Sequence, residues 1–152
     1  VASWKQQALI EAPVNEVWEV LCDPARGPEW SEEVIAVTGA PTKIEKGSTF
    51  DVTARGPFHL KNTTTFKVEE LDELHEIKMK CQYSGFYSHW VLTDAQGATF
   101  TEVELGVERK PGLEGLTTHA LHTKSYLRRE VEKLLDGLRR AVGQTREDVG
   151  AT

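Results

Sequence analysis

The sequence predicts an α+β fold. A seven-stranded antiparallel curved sheet wraps around one long C-terminal helix, with two short helices after the first strand. Three observations carry this. Leu113, Leu116, Ala120, Thr123, Leu127, Val131, Leu134, Leu138 and Ala141 recur at steps of three and four, which puts them on one face of a helix over residues 113–142. Most of the preceding chain reads as short stretches of alternating polarity separated by tight turns, and such strands pair antiparallel. The longest stretch, 58–70, sets Phe58, Leu60, Asn62, Thr64, Phe66 and Val68 against His59, Lys61, Thr63, Thr65, Lys67 and Glu69. The second set is wholly polar, so the first faces inward. A half-apolar helix roughly 40 Å long that follows a set of strands lies across the sheet and closes it.

In chain order, residues 4–11 alternate, with Trp4, Gln6, Ala8 and Ile10 on one side, and read as the first strand. Pro13 suits the first turn of a helix, where its missing N–H has no partner to lose. Val14, Val17, Trp18, Leu21 and Cys22 share one face of that helix. Asp23-Pro24 stops it and opens a second, very short one, which Gly27-Pro28 keeps short before Trp30. Residues 33–38 form a strand, 39–41 a turn, and 48–54 a strand in which Phe50 and Val52 face the same way. Gly56-Pro57 breaks the chain ahead of the long strand. Residues 75–83 repeat the alternation, with Ile77, Met79, Cys81 and Tyr83 on one side. In residues 86–93 both faces are apolar or aromatic, so alternation does not say which one points inward or where His89 goes. Residues 99–109 follow, with Thr101, Val103, Leu105 and Val107 inward. Pro111, Gly112 and Gly115 lead into the last helix, whose outer face carries Arg128, Arg129, Lys133, Asp136, Arg139 and Arg140. Gly143 is its end signal, giving one domain over residues 1–143 and a polar, flexible tail over 144–152.

Composition excludes several classes. A chain of 152 residues has room for one sizeable core, and a mean hydropathy of −0.42 suits a water-soluble surface. The net charge of −6 argues against nucleic acid as a partner. No apolar run approaches the ~18 residues that span a bilayer, so stable membrane insertion is not expected. The N-terminal residues lack the apolar centre of a signal peptide, and Cys22 and Cys81 form no cluster. A cytoplasmic location is the expectation. The five histidines show no H-x-H or H-E-x-x-H spacing, and no phosphate loop, dinucleotide glycine pattern or G-x-S-x-G motif occurs. Neither a metal nor a cofactor is expected.

The A-P-x-x-x-V-W-x-x-L-x-D-P stretch from Ala12 to Pro24, Trp30 after it, Lys46-Gly47 before a strand, the hairpin over 90–99 and the final helix together resemble the START-like (SRPBCC) helix-grip superfamily. Within it the chain looks most like bacterial polyketide cyclase/dehydrase-like proteins, over residues 3–142. The resemblance implies a cavity between sheet and last helix. It also implies a small hydrophobic ligand there: a lipid, an aromatic metabolite or a polyketide. On the inward register the binding residues are then Trp30, Phe50, Phe58, Leu60, Asn62, Thr64, Phe66, Met79, Cys81, Tyr83, Trp90, Thr123 and Leu127. The alternative is a cyclase/dehydrase-type enzyme, with His119 and Tyr126 on one flank of the helix as acid–base residues and Glu130 four residues beyond Tyr126. Members of the superfamily that act as aromatase/cyclases are similar in using an arginine on a central strand. Here Leu60–Phe66 offers none, and Arg55 falls at the rim. His122 reads as solvated, and the basic helix face leaves room for a chaperone-activator-like adaptor. Either a monomer or a homodimer is compatible with this pattern.

Overall fold

Alternation in sequence becomes alternation in burial. The computed structural model describes residues 2–108 and 121–150. Strands β1 (Ala2–Ile10), β2 (Val34–Thr38), β3 (Thr49–Arg55), β4 (Lys61–Asp72), β5 (Glu76–Cys81), β6 (Phe86–Asp94) and β7 (Thr99–Val107) form one sheet in the order β1-β7-β6-β5-β4-β3-β2. Every pairing is antiparallel. β1 runs beside β7 without a register break, from Ala2 opposite Val107 to Ile10 opposite Thr99. The inward residues of β7, Thr101, Val103, Leu105 and Val107, are all buried. Thr99 is buried as well, and its hydroxyl donates to the Ala12 carbonyl at 2.8 Å, which removes the cost of an unpaired polar group in a dry core.

Between β1 and β2 lie α1 (Val14–Leu21), a 3-10 turn (Pro24–Arg26) and α2 (Gly27–Trp30). Gly27 caps the end of the 3-10 turn, as its sequence suggests, and Gly27-Pro28 also opens α2, because a proline at the start of a helix loses no hydrogen bond. The strand expected from Phe58 begins instead at Lys61. Pro57 starts a 3-10 turn whose Phe58 has φ 60°, and its ring is 79% exposed. The fixed φ of Pro57 favours a turn there, and the turn carries Phe58 out of the sheet's register.

The last helix, α3 (Lys124–Gly150), also departs from expectation at both ends. Its first turn is set by Thr123, whose carbonyl accepts the Leu127 N–H at 2.9 Å and whose Oγ1 accepts the Tyr126 N–H at 3.2 Å. That is an N-cap, so Thr123 sits at the start of the helix and not within its apolar stripe. The first part of the helix expected over 113–142, with Leu113, Leu116, His119 and Ala120, lies outside the described residues. At the far end the backbone stays helical past Gly143, across most of the segment read as a tail.

α3 packs on β1, β7, α1 and α2. Leu127, Val131, Leu135, Leu138, Ala141 and Val142 are its buried side, and full burial of such a Leu or Val contributes about 1.5–3 kcal/mol. Gly137 marks the closest approach: a Cβ there would meet the backbone carbonyl of Trp30. Trp30 in turn meets Trp90 of β6 edge to face, with ring centroids 5.8 Å apart. In an unobstructed helix, Gly→Ala stabilises by about 1 kcal/mol. Here the sign reverses, because α2 or α3 must move. Gly137→Ala is expected to lower the Tm in a thermal melt; a raised Tm would show that helix propensity outweighs the contact.

Candidate functional site

Because α3 leans on β1 and β7, the inner face of β3–β6 is left facing a cavity of about 330 Å³. That is the lower end of the ~300–1,000 Å³ usual for small-molecule sites. Its deep part is apolar. Phe50 and Phe66 stack at 6.4 Å from opposite positions of β3 and β4, with Trp30, Trp90, Met79, Leu105 and Leu134 around them. Small side chains keep the space open: Ser88 stands between Met79 of β5 and Leu105 of β7, all three lining the cavity. The exposed members of the lining, Arg55, Leu60, Asn62 and Tyr83, mark its mouth, with Leu60 and Tyr83 both 59% exposed.

One wall is polar. From the mouth inward, His122, Tyr126, Glu130 and Leu134 follow each other along α3 and the residue pair ahead of it, all lining the cavity. His122 lies between Phe86 and Tyr126, with ring centroids 5.4 Å and 5.5 Å away. Lys133 Nζ bridges two carboxyls, at 3.3 Å from Glu33 and 3.5 Å from Glu130. Burial raises the Glu130 carboxyl above its ordinary range and the nearby Glu33 raises it further, against the opposing pull of Lys133. Burial likewise drives the Tyr126 phenol up, helped by Glu130 and Glu33, so it stays protonated. The Lys133 ammonium is held above its usual range, first by Glu130. At Cys81, burial pushes the thiol up, but hydrogen bonds from Ser84, Thr64 and the Tyr83 backbone outweigh it and leave it lowered.

The structure brings Trp30, Phe50, Leu60, Asn62, Thr64, Phe66, Met79, Cys81, Tyr83 and Trp90 to this cavity, and Tyr126 with them. Three expected lining residues are elsewhere. Phe58 is turned out to solvent by its 3-10 turn, Thr123 is the exposed helix cap, and Leu127 is fully buried on the core side of α3, away from the cavity. His119 lies outside the described residues. The inward face of β6 is Phe86, Ser88 and Trp90; His89 points the other way, 3.1 Å from Glu76. His122, read from sequence as solvated, is half-buried in the lining. Glu33, Ser88 and Leu134 were not singled out as lining residues by the sequence; the alternation of β6 holds for Ser88 once its inward face is known. On the basic helix face, Arg128 lies over the Trp4 ring at 5.9 Å, and Arg139 donates to the Leu9 carbonyl at 3.3 Å. Among the described residues, no helix is long and apolar enough to cross a membrane and no group of three or more His, Cys, Asp or Glu is placed to hold a metal ion.

Residues 2–143 match the family model described as polyketide cyclase / dehydrase and lipid transport. A search of curated protein sequences gives no match. Among solved structures, a START superfamily protein from Mycobacterium smegmatis aligns with TM-score 0.74 and 16% identity, over 95% of this chain and 99% of that one. A protein from Thermus thermophilus aligns with TM-score 0.72 and 19% identity, over 94% and 98%. The Zhui aromatase/cyclase from a Streptomyces species gives TM-score 0.72 and 13% identity, over 93% of each chain. At these identities the likeness establishes the seven-stranded, helix-grip fold and no more.

The raised Glu130 carboxyl has a measurable consequence. A group that holds its proton more tightly in the folded state contributes stability below its unfolded pKa and loses that contribution as pH rises through the folded value. Glu130→Gln mimics the protonated form at every pH. The Tm of this variant minus that of the parent is expected to grow from about pH 4 to about pH 8, the range that brackets a raised carboxylate; a gap that stays flat or shrinks would show that Lys133 fully offsets the burial of the charge.

Proposed function

The chain belongs to the polyketide cyclase / dehydrase and lipid transport family, and we propose that it binds a small hydrophobic molecule, a lipid, aromatic metabolite or polyketide, between the sheet and α3. The observation that carries this reading is the cavity itself: aromatic and aliphatic in its depth, polar at its mouth and along one wall. A solid core would close such a space, since interiors pack like organic crystals. Burial of a ligand's apolar surface supplies affinity at about 25 cal/mol per Å², and Asn62, Thr64, Tyr83 and the α3 wall orient its polar end.

A second reading has its own support. Tyr126, Glu130 and His122 offer proton donors and acceptors to one bound molecule, the equipment of an aldol-type ring closure or a dehydration. In that case Tyr126→Phe keeps binding and loses turnover, because only the proton is removed.

Ser88→Phe fills the cavity from a position where the lining is small, so the fold is retained. The neutral dye N-phenyl-1-naphthylamine is expected to bind the parent and to bind the variant about 10-fold more weakly or worse, as a loss of ~1.4 kcal/mol gives. Equal fluorescence titrations from two equally folded proteins would remove the cavity as the site.

A further inference from the structure

We propose that the ligand's polar end is a hydrogen-bond donor, an amine before a hydroxyl, seated against Glu130, and that the cavity discriminates against carboxylates and phosphates. The inference rests on the cavity reading above and adds the chemical class of the ligand's head.

The charges around this one space are unevenly distributed. Among the described residues, the ionisable side chains of its lining are Asp23, Glu33, Glu130, Arg55, His122, Tyr126, Tyr83 and Cys81. Arg55, at the end of β3 opposite Lys61, lines the cavity only at its exposed mouth. Lys133 lies outside the lining and is already engaged by two carboxyls. An anion taken past the mouth therefore leaves Arg55 behind and meets carboxyl oxygens, with no other lysine or arginine among the described lining residues to receive it. Like charges in a desolvated space repel, and the anion also loses its hydration.

The start of α3 is the other feature that favours anions, since a helix N-terminus presents unpaired N–H groups. One of those groups, the Tyr126 N–H, is taken by the Thr123 hydroxyl, and from Leu127 onward the regular helical bonding begins, with its N–H donating to the Thr123 carbonyl. A donor head has the opposite experience. It reaches Glu130 between the mouth and Leu134, with Tyr126 one helical turn away and apolar rings beyond it for the ligand's body. A cation there also removes the repulsion between Glu130 and Glu33 that helps keep a proton on the former.

The test uses three probes with one ring system and different heads: 2-naphthylmethylamine, 2-naphthalenemethanol and 2-naphthoate. Each is titrated calorimetrically near neutral pH into the parent and into Glu130→Gln, with melts to confirm both are folded. The expected result is the amine at least about 10-fold tighter than the carboxylate, with the alcohol between them, as a charge-assisted contact of ~1.4 kcal/mol gives. In Glu130→Gln the gap between amine and carboxylate narrows to about 3-fold or less while the alcohol is little changed. Naphthoate binding as tightly as the amine, or a gap indifferent to Glu130→Gln, overturns the inference and leaves the cavity reading intact. If none of the three binds, the cavity reading falls and this one with it.

Discussion

The seat of α3 on Trp30 governs the rest of the molecule. Gly137 lets the helix touch the backbone of α2, and β1 and β7 support the helix along its buried side. Those contacts hold α3 to one flank of a curved sheet. The opposite flank, β3 to β6, is therefore lined by side chains that α3 does not cover, and the cavity is the space between. Trp30 joins the two halves of this arrangement. Its backbone receives the helix, while its ring meets Trp90 and lines the cavity. A change at Gly137 consequently reaches the ligand space through a single residue.

Much of this is readable in the sequence, and for stated reasons. A strand with one wholly polar face has no choice of register, so pattern alone places Asn62, Thr64 and Phe66 inward, and all three line the cavity. Alternation also places Thr101, Val103, Leu105 and Val107 of β7 inward, and all four are buried. It gives no answer for β6, because a strand with apolar residues on both faces has no alternation to read. Phe58 shows local chemistry overriding pattern: alternation extends through it, but Pro57 forces a turn. Thr123 shows the same competition at the helix, where a hydroxyl in the apolar stripe serves better as a cap.

The α3 stripe marks a further limit. Periodicity says which residues share a face, not what stands opposite each of them. Leu127 and Leu134 are equivalent in the pattern, yet one is sealed in the core and the other borders the cavity. Glu33 carries no such signal, since its role depends on the residue ahead of β2 arriving beside Lys133 of α3. Gly137 does carry one: a glycine inside a helix costs about 1 kcal/mol relative to alanine, and a close approach of backbone is what offsets that. Fold and family thus follow from pattern. The polarity of the pocket depends instead on carboxyls from separate parts of the chain, Asp23, Glu33 and Glu130, brought together only by folding.

Everything proposed for this protein depends on a ligand occupying the space between the sheet and α3. The most direct measurement is amide chemical-shift mapping of the ¹⁵N-labelled protein during titration with N-phenyl-1-naphthylamine. The shifted amides are expected to concentrate at Thr64, Met79, Ser88, Tyr126 and Glu130, with the outward-facing β1 residues Lys5 and Gln7 unmoved. Saturable shifts centred on the outer face of the sheet, with those cavity amides still, would contradict it.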